Sequence, residues 1–397
     1  MGAVIDGTID PGFERVRDAF VRNFEEHGDR GATFAVYFGG RRVVDLWGGT
    51  TAAGEPYTAD TLQVVFSSTK GAVAACAHLL AQRGLLDFDA PVATYWPEFA
   101  QAGKDSIPVR WLMTHQAGLP YVDAPLTLDD ILAWDPVIAA LEQQPPAWEP
   151  GTASGYHAVT YGYLVGEVIR RVSGTTVGKL FDREFAQPLD LEFWIGLPEA
   201  LLPRVTPLLA DDAPVDPALV ELADRYMGPG TTLGKIGFDG VLIEPFAQSQ
   251  PDLLQAELPA GNGVTNAASL ARLYAGLIGG VDSGPNQAAL TPVQIDAART
   301  PQTDGPDWGW ATIPGLKVYM PFGLGFMTPS PGVAPWGGER AFGHAGSGGS
   351  FGVADPDLGL SMAYVMNQMR QVPIGDPRRA NLVRAIYEAI GAAPAIL

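Results

Sequence analysis

The sequence has little cysteine, little positive charge and no long apolar run. Its 397 residues include one cysteine, Cys76, so neither an internal disulfide nor a cysteine-rich zinc site can form. The net charge is −19, with 25 basic against 44 acidic residues, which disfavours binding to nucleic acid or to anionic membrane surfaces. No stretch reaches the roughly 18 apolar residues that indicate a membrane span. We therefore expect neither nucleic acid nor a membrane as a partner.

Targeting and cofactor signals are also missing. The N-terminal segment MGAVIDGTIDPGF lacks the basic and long apolar regions of a secretory signal, so we expect a soluble, cytoplasmic protein. The five histidines show no HExxH or similar ligand spacing, and no glycine-rich stretch ends in GKS or GKT. We predict no metal site, no nucleotide site and no other cofactor.

The residues that are present can fill a large core. Hydrophobic residues make up 47% of the chain, and its length exceeds that of a typical compact domain. This predicts either one large core or two closely packed lobes.

Apolar patterning predicts strands at both ends of the chain and helices between them. A helix follows Pro11, and then a β-hairpin with Gly39 and Gly40 in its turn. Towards the C-terminus the pattern predicts strands at 323–326, around His344, at 351–354 and at 360–366. A last helix is predicted at 378–390. Two helices are predicted in the middle, at 72–83 and 161–172, and the second has one apolar face.

One sheet built from both termini follows from this order, with a helical region inserted. The predicted class is α+β, with residues 1–75 and 310–397 forming an α/β lobe and 76–309 a mainly helical lobe. Residues 195–260 are rich in Pro, Asp and Gly, which predicts loops around a site.

The sharpest chemical motif is Ser67-Ser68-Thr69-Lys70, directly ahead of a predicted helix. Residues three apart on a helix share a face, so the Lys70 amine can reach the Ser67 hydroxyl. A serine needs such a base to become a nucleophile, and a lysine can act as that base only if its pKa is lowered. The alternative is that Ser67 caps the helix and Lys70 is solvated.

A second candidate, Tyr156, follows Pro150-Gly151 and precedes the helix predicted at 161–172. A turn at this point can aim the phenol into a cleft, where a nearby ammonium lowers its pKa and lets it move a proton. The alternative is an ordinary packing tyrosine.

The glycine-rich segment from Phe342 to Ser350 offers small residues against which a substrate can lie, and a backbone N–H that can pair with that of Ser67 to hold an oxyanion. Its alternative is a plain hairpin turn. The segment also matches G-x-S-x-G around Ser350, the nucleophile-elbow motif. That motif requires a histidine later in the chain than its serine, and no histidine follows His344.

In chain order, Ser67-x-x-Lys70, Tyr156 and His344-Ala345-Gly346 resemble the three signature elements of the serine β-lactamase and penicillin-binding-protein superfamily. The resemblance is greatest to class C β-lactamases and the related family VIII carboxylesterases. Two flanking segments, 109–119 and 261–265, also look like family sequences, and the resemblance covers about residues 10–390 apart from 195–260.

This resemblance implies an antiparallel sheet flanked by helices, a mainly helical lobe and a site at their junction. It also implies Ser67 as acyl-forming nucleophile, Lys70 and Tyr156 as the proton-transfer pair, and the amides of Ser67 and Ser347 as the oxyanion hole. His344 and Gly346 are then expected to contact the substrate. Tyr121 is a further candidate for lining the acyl pocket, with simple packing as its alternative.

Two departures from the family pattern bear on the substrate. Ala158 stands where β-lactamases have an asparagine, and His344 stands where they have a lysine, so an amide and a permanent cation are both missing. His344 can still donate a hydrogen bond to Tyr156 or to a bound carbonyl, and its protonation would then affect the rate. We therefore predict a serine esterase for small, neutral carboxylic esters, with a small molecule as its partner and an undetermined oligomeric state.

Three alternatives stay open at this stage. A β-lactamase or D-amino-acid peptidase would use the same residues on a different acyl donor. An acyltransferase would differ only in the acceptor. A non-catalytic binding protein would form no covalent adduct.

Overall fold

Strands from both ends of the chain form a six-stranded antiparallel sheet. The computed structural model describes residues 3–211, 217–242, 250–282, 288–370 and 375–397. Within these ranges the strands are β1 Ile5–Ile9, β2 Gly31–Phe38, β3 Arg41–Gly49, β4 Gln63–Val64, β5 Phe193–Trp194, β6 Val264–Thr265, β7 Phe342–Ala345, β8 Phe351–Asp355 and β9 Leu360–Met366. The large sheet has the order β1-β3-β2-β9-β8-β7, and β4-β6-β5 form a small second sheet.

Helices lie on both faces of the large sheet and between the two sheets. In the described part of the chain they are α1 Glu14–Glu26, α2 Thr69–Gln82, α3 Val109–Met113, α4 Leu128–Leu132, α5 Asp135–Gln143, α6 Thr160–Ser173, α7 Val177–Phe181, α8 Pro217–Met227, α9 Thr232–Ile236, α10 Pro251–Gln255, α11 Ala267–Ile278, α12 Pro292–Arg299 and α13 Pro377–Ala389. This arrangement confirms the predicted α+β class.

Side-chain size divides the two faces of the sheet. Along β2, Phe34 and Val36 point towards α1 and α13, whereas Ala35 points towards α11. Along β9, Met362 alternates with Ala363 in the same way. Because successive strand residues point to opposite faces, the small residues create a surface on which α11 packs closely.

Helix α2 runs through the interior, and apart from Thr69, Lys70 and His78 its residues up to Leu80 are apolar. All its residues from Thr69 to Leu80 are buried, which requires the small side chains of its alanine-rich sequence. A helix without a polar face belongs inside a core. The residues at its N-terminal end are therefore held by packing on all sides.

Most of the elements predicted near the termini are confirmed. The β2–β3 hairpin turns at Gly39 and Gly40, both with positive φ. The terminal helices and the strands around His344, at 351–354 and at 360–366 all form. Helix α6 ends at Gly174 in the left-handed conformation, as its sequence predicts.

The strand predicted at 323–326 is wrong. These residues form a turn, in which the Gly323 N–H donates to the Phe326 carbonyl at 2.9 Å. The Leu324 N–H donates to Ala297, and the Leu324 carbonyl lies 2.8 Å from His78 Nε2, so its backbone groups are used by helical neighbours rather than by a strand. Gly325, with φ +77, permits this turn.

The region 195–260 is only partly loop. Its described residues include α8, α9 and α10, which the sequence analysis missed because these helices are short and separated by Pro and Gly. The division into lobes at 75/76 and 309/310 stays a prediction. Among the described residues, no helix has both the length and the apolar character needed to cross a membrane.

Candidate active site

Ser67 lies in a 3-10 turn, Phe66–Ser68, that leads directly into α2. Phe66 has φ +44, a conformation that costs energy for a bulky residue, and such outliers concentrate at functional sites. Ser67 is partly exposed, whereas Ser68 is buried. The turn therefore presents one hydroxyl to solvent and directs the other into the core.

The Lys70 amine lies next to the Ser67 hydroxyl, as the spacing predicts. Its Nζ is 3.0 Å from Ser67 Oγ and donates hydrogen bonds to the carbonyls of Ala158 at 2.7 Å and Ala260 at 2.8 Å. The lysine side chain is fully buried, so the alternative of a solvated Lys70 is excluded.

Burial lowers the pKa of Lys70 well below its usual value because the charged form loses its hydration. A neutral amine has two N–H groups, and the carbonyls of Ala158 and Ala260 accept both. Its lone pair then faces the Ser67 hydroxyl. This arrangement suits an amine that accepts a proton from Ser67.

Tyr156 reaches the same point from the loop ahead of α6. Its ring centroid is 5.0 Å from Lys70 Nζ, and Ser67 acts as a hydrogen-bonding neighbour on the pKa of its hydroxyl. The structure thus brings together Ser67, Lys70 and Tyr156.

The expectation of a lowered phenol pKa is wrong. Burial raises the pKa of Tyr156 well above its usual value, and the hydrogen bond with Ser67 only partly opposes this rise. The predicted cause was a nearby ammonium, but burial drives Lys70 itself towards the neutral form. Tyr156 is therefore a phenol that can donate a proton, rather than a phenolate.

Two histidines support the loop that carries Tyr156. His115 Nδ1 accepts a hydrogen bond from the His157 N–H at 3.1 Å, and its ring lies 4.9 Å from that of Tyr156. His157 Nε2 in turn accepts from the Leu119 N–H at 3.0 Å. Burial lowers the pKa of both histidines, so they act here as neutral supports. His115 was visible only as part of the family-like segment 109–119.

Asp307 is a supporting residue that the sequence analysis missed. Its Oδ2 accepts from the backbone N–H of Tyr156 at 2.7 Å, and its Oδ1 accepts from that of Trp310 at 3.0 Å. The side chain is buried, and burial raises its carboxyl pKa. No local motif could reveal it, since its partner Tyr156 is remote in the chain.

Ser67 and Ser347 line one cavity of about 160 Å³. The remaining lining is mostly apolar and includes Phe66, Val159, Tyr163, Leu242, Leu258 and Pro259. Among the described residues, the backbone N–H groups of Ser67 and Ser347 donate to no protein acceptor. Two unused amides at a cavity containing a nucleophile are what an oxyanion hole requires.

His344 is buried beside Tyr156, at a ring-centroid distance of 6.2 Å. Its Nδ1 lies 2.8 Å from the Ala345 carbonyl and donates to it, while Nε2 has no partner among the described residues. Burial is the main cause that lowers the pKa of His344 to about 3, with a smaller contribution from Lys70 in its protonated form, so the ring is neutral. With its N–H donated to Ala345, neutral His344 has none left for Tyr156 in this arrangement, and its contact with substrate stays a prediction.

Gly346 and Ser350 connect the β7–β8 loop to the turn that carries Ser67. A Cβ on Gly346 would collide with Ser350 Oγ and the Val65 carbonyl, so only glycine fits there. Ser350 is fully buried and donates to the Val65 carbonyl at 2.9 Å. Its hydroxyl therefore faces the back of the turn rather than the cavity.

Tyr121 lies away from this group. Its ring is 5.2 Å from Lys235 Nζ, and Lys235 forms an ion pair with Asp123 at 2.7 Å. Tyr121 is not among the described residues that line the cavity. In the same described ranges, no three His, Cys, Asp or Glu side chains converge in a way that could hold a metal ion.

Comparison with known proteins agrees with this fold. The family profile described as Beta-lactamase matches residues 17–385. The Mycobacterium tuberculosis protein named Esterase/beta-lactamase LipL is 36% identical over 381 residues, which cover 93% of this chain and 84% of that protein. The chain belongs to the beta-lactamase family.

Solved structures show the same relationship. A structure titled as a family VIII carboxylesterase has a TM-score of 0.83 and 35% identity, covering 97% of this chain and 100% of its own. A penicillin-binding-protein homologue from Caulobacter crescentus has a TM-score of 0.82 and 36% identity, with the same coverage of both chains. Within the beta-lactamase family, this chain therefore resembles proteins that bear esterase names as well as a penicillin-binding-protein homologue.

Proposed function

We propose that the protein hydrolyses small, neutral carboxylic esters through an acyl-enzyme on Ser67. The observation that carries the proposal is the buried Lys70 amine. Two backbone carbonyls accept hydrogen bonds from its Nζ, and the third neighbour of Nζ is Ser67 Oγ. Esterase names among relatives with more than 30% identity support the same reaction class.

In the acylation step, neutral Lys70 accepts the Ser67 proton while Oγ bonds to the ester carbonyl carbon. The carbonyl oxygen becomes an oxyanion that the N–H groups of Ser67 and Ser347 stabilise. When the tetrahedral intermediate collapses, the carbon–alkoxy bond breaks. The leaving alkoxide takes a proton from Tyr156, and the Lys70 ammonium restores the proton of Tyr156.

Deacylation repeats these steps with water in place of serine. Water donates a proton to the Tyr156–Lys70 pair and attacks the acyl carbon, after which the carbon–Oγ bond breaks and Ser67 recovers its proton. The raised pKa of Tyr156 suits this role, since a protonated phenol is ready to protonate a leaving oxygen.

The cavity favours neutral acyl groups. Its described lining contains no Lys, Arg, Asp or Glu side chain, so a charged substrate would lose hydration without gaining an ion pair. Ala158 and neutral His344 add neither an amide nor a cation. Small esters with an apolar acyl group fit this lining.

β-Lactam hydrolysis is the second candidate, because the related M. tuberculosis protein is named an esterase and a β-lactamase. Since neutral His344 stands where β-lactamases have a lysine, we expect β-lactam hydrolysis to be the weaker activity.

A cytoplasmic location and the division into two lobes remain predictions.

Mass spectrometry of the intact protein after brief exposure to p-nitrophenyl butyrate tests the proposal. We expect one butyryl group on Ser67 and faster turnover of this ester than of a chromogenic cephalosporin. The Ser67→Ala variant is the control and should stay unmodified. An acyl group on another residue, or no adduct and no turnover, would contradict the proposal, while faster cephalosporin turnover would favour the second candidate.

A further inference from the structure

The loop that carries Ser347 rests on a buried arginine. The Arg378 side chain, at the start of α13, is completely buried. Its Nη2 donates to the Gly348 carbonyl at 2.6 Å, and its Nη1 donates to the Gln368 carbonyl at 2.8 Å. A single guanidinium thus joins the β7–β8 loop to the segment after β9.

Two aspartates complete this network. Arg378 Nη1 also donates to Asp29 at 2.9 Å, while Nη2 and Nε donate to Asp376 at 2.8 and 3.1 Å. All five N–H donors of the guanidinium therefore have acceptors. Burying such charges involves a large desolvation cost, so the network is not explained by stability alone.

The hydrogen bonds of the loop orient the Ser347 amide. The Gly346 carbonyl accepts from the Gly349 N–H at 3.3 Å, so it points into the turn. Since C=O and N–H of a trans peptide point in opposite directions, the Ser347 N–H points out of the turn. This N–H has no protein acceptor among the described residues, and Ser347 lines the cavity.

Arg378 holds the other end of this turn. The Gly348 carbonyl accepts from both Arg378 and the Arg370 N–H, which lies at 3.0 Å. Gly349 has φ +134, and a Cβ there would collide with Arg378 Nη2. Glycine at this position therefore lets the guanidinium approach the loop closely.

We propose that Arg378 is a positioning residue that fixes the Ser347 N–H in the geometry of the oxyanion hole. The inference rests on the proposed esterase function, since it gives that amide its role. Arg378 touches no reacting atom. It acts through its hydrogen bond to the Gly348 carbonyl and through the turn from Gly346 to Gly349. A displacement of the amide by about 1 Å is enough to lower a rate by about 100-fold.

The test compares Arg378→Lys with Asp29→Asn. Lysine keeps the positive charge but lacks the planar five-donor fork, so the bond to Gly348 is lost or displaced. Asp29 bonds to Nη1, on the Gln368 side, and Asp376 still holds Nη2 against Gly348 in its absence. Both variants weaken the same buried network, but only R378K removes a hydrogen bond to the loop itself.

We expect kcat for p-nitrophenyl butyrate to fall about 100-fold in R378K with KM changed less than about threefold. Affinity for butylboronic acid, whose tetrahedral adduct resembles the oxyanion, should fall by a similar factor. D29N should show a comparable fall in Tm but retain kcat within about threefold. If R378K does not fold, R378M/D29N, which removes one charge of each sign, takes its place in the comparison with D29N.

Equal losses of kcat in R378K and D29N would reduce Arg378 to a structural role and overturn the inference. Normal kcat in a folded R378K would do the same. Acylation of Ser67 in the wild-type protein is measured separately, so either result can be told apart from failure of the proposed function, in which no Ser67 adduct forms at all.

Discussion

The turn that carries Ser67 and the loop that carries Ser347 meet at one cavity but are held in different ways. Ser67 and Lys70 are neighbours because they are three residues apart at the start of α2, so helix geometry alone brings them together. The loop depends on hydrogen bonds that it accepts from Arg370 and Arg378 and on one that it donates to the Val65 carbonyl, and all three residues are remote in sequence. Local spacing can be recognised in a motif, whereas an amide direction set by distant partners cannot.

The two serines in these segments sharpen the contrast. Ser67 lies in S-x-x-K and Ser350 in G-x-S-x-G, and both patterns suggest a nucleophile. Ser67 is partly exposed beside a buried amine, while Ser350 is buried and bonds to the Val65 carbonyl. Environment, rather than motif, separates the two.

The largest expected effect is that of Ser67→Ala. Without Oγ no acyl-enzyme forms, so kcat/KM for p-nitrophenyl butyrate should fall by about 10⁴-fold or more while Tm stays close to that of the wild type. Steady-state kinetics and thermal unfolding measure both. Esterase activity retained in S67A would assign the nucleophile to another residue.

Tyr156→Phe should have the next largest effect. Loss of the phenolic proton removes the donor to the leaving oxygen, and general acid catalysis contributes about 10²- to 10⁴-fold. We expect kcat to fall about 10³-fold for an alkyl ester and less for a p-nitrophenyl ester, whose leaving group needs little protonation. Equal losses for the two esters would argue against proton donation by Tyr156.

The pH dependence of the rate should report Lys70 and not His344. Only the neutral amine accepts the Ser67 proton, and burial lowers the pKa of Lys70. The value of kcat/KM should therefore rise with pH up to that lowered pKa and fall about tenfold per pH unit below it. Because the pKa of His344 is about 3, the midpoint should be unchanged in H344Q. A midpoint that moves in H344Q would show that the histidine titrates.

Asp307→Asn should lower the rate by about tenfold. The Asp307 carboxylate accepts hydrogen bonds from two backbone N–H groups, whereas an asparagine would turn its NH₂ group, itself a donor, towards one of them. An unsatisfied buried group should also lower the free energy of unfolding by about 1–3 kcal/mol. The matched control is Asp304→Asn at an exposed position, which should change neither quantity. Equal rates and equal stabilities in the two variants would show that Asp307 does not support Tyr156.

Ser350→Ala should have the smallest effect on catalysis. We expect kcat/KM within about threefold of wild type, with the free energy of unfolding lowered by about 0.5–1.5 kcal/mol, because the Val65 carbonyl loses one hydrogen bond and keeps the one from the Ser68 N–H. Ser361→Ala is the control, since its hydroxyl is equally buried and donates to the Ala271 carbonyl at 2.9 Å, remote from the cavity. An inactive S350A beside an active S67A would restore the elbow interpretation.

The sequence predicted what depends on local periodicity and on ordered motifs. The terminal strands, the hairpin at Gly39 and Gly40 and the glycine end of α6 follow from patterns a few residues long. The strand predicted at 323–326 failed because its carbonyl and N–H groups pair with His78 and Ala297, which no local pattern specifies.

By itself the sequence determined which groups this protein can bring to catalysis: a hydroxyl one turn from an amine, a phenol ahead of an amphipathic helix, and a glycine-rich segment between two strands. The tertiary structure decided their protonation and direction. Burial lowers the pKa of the Lys70 amine and raises that of the Tyr156 phenol, while Arg378 and Asp307 orient segments that are far from them in the chain. The reason is physical, since spacing along the chain is local, whereas desolvation and hydrogen-bond partners arise only when remote segments pack together.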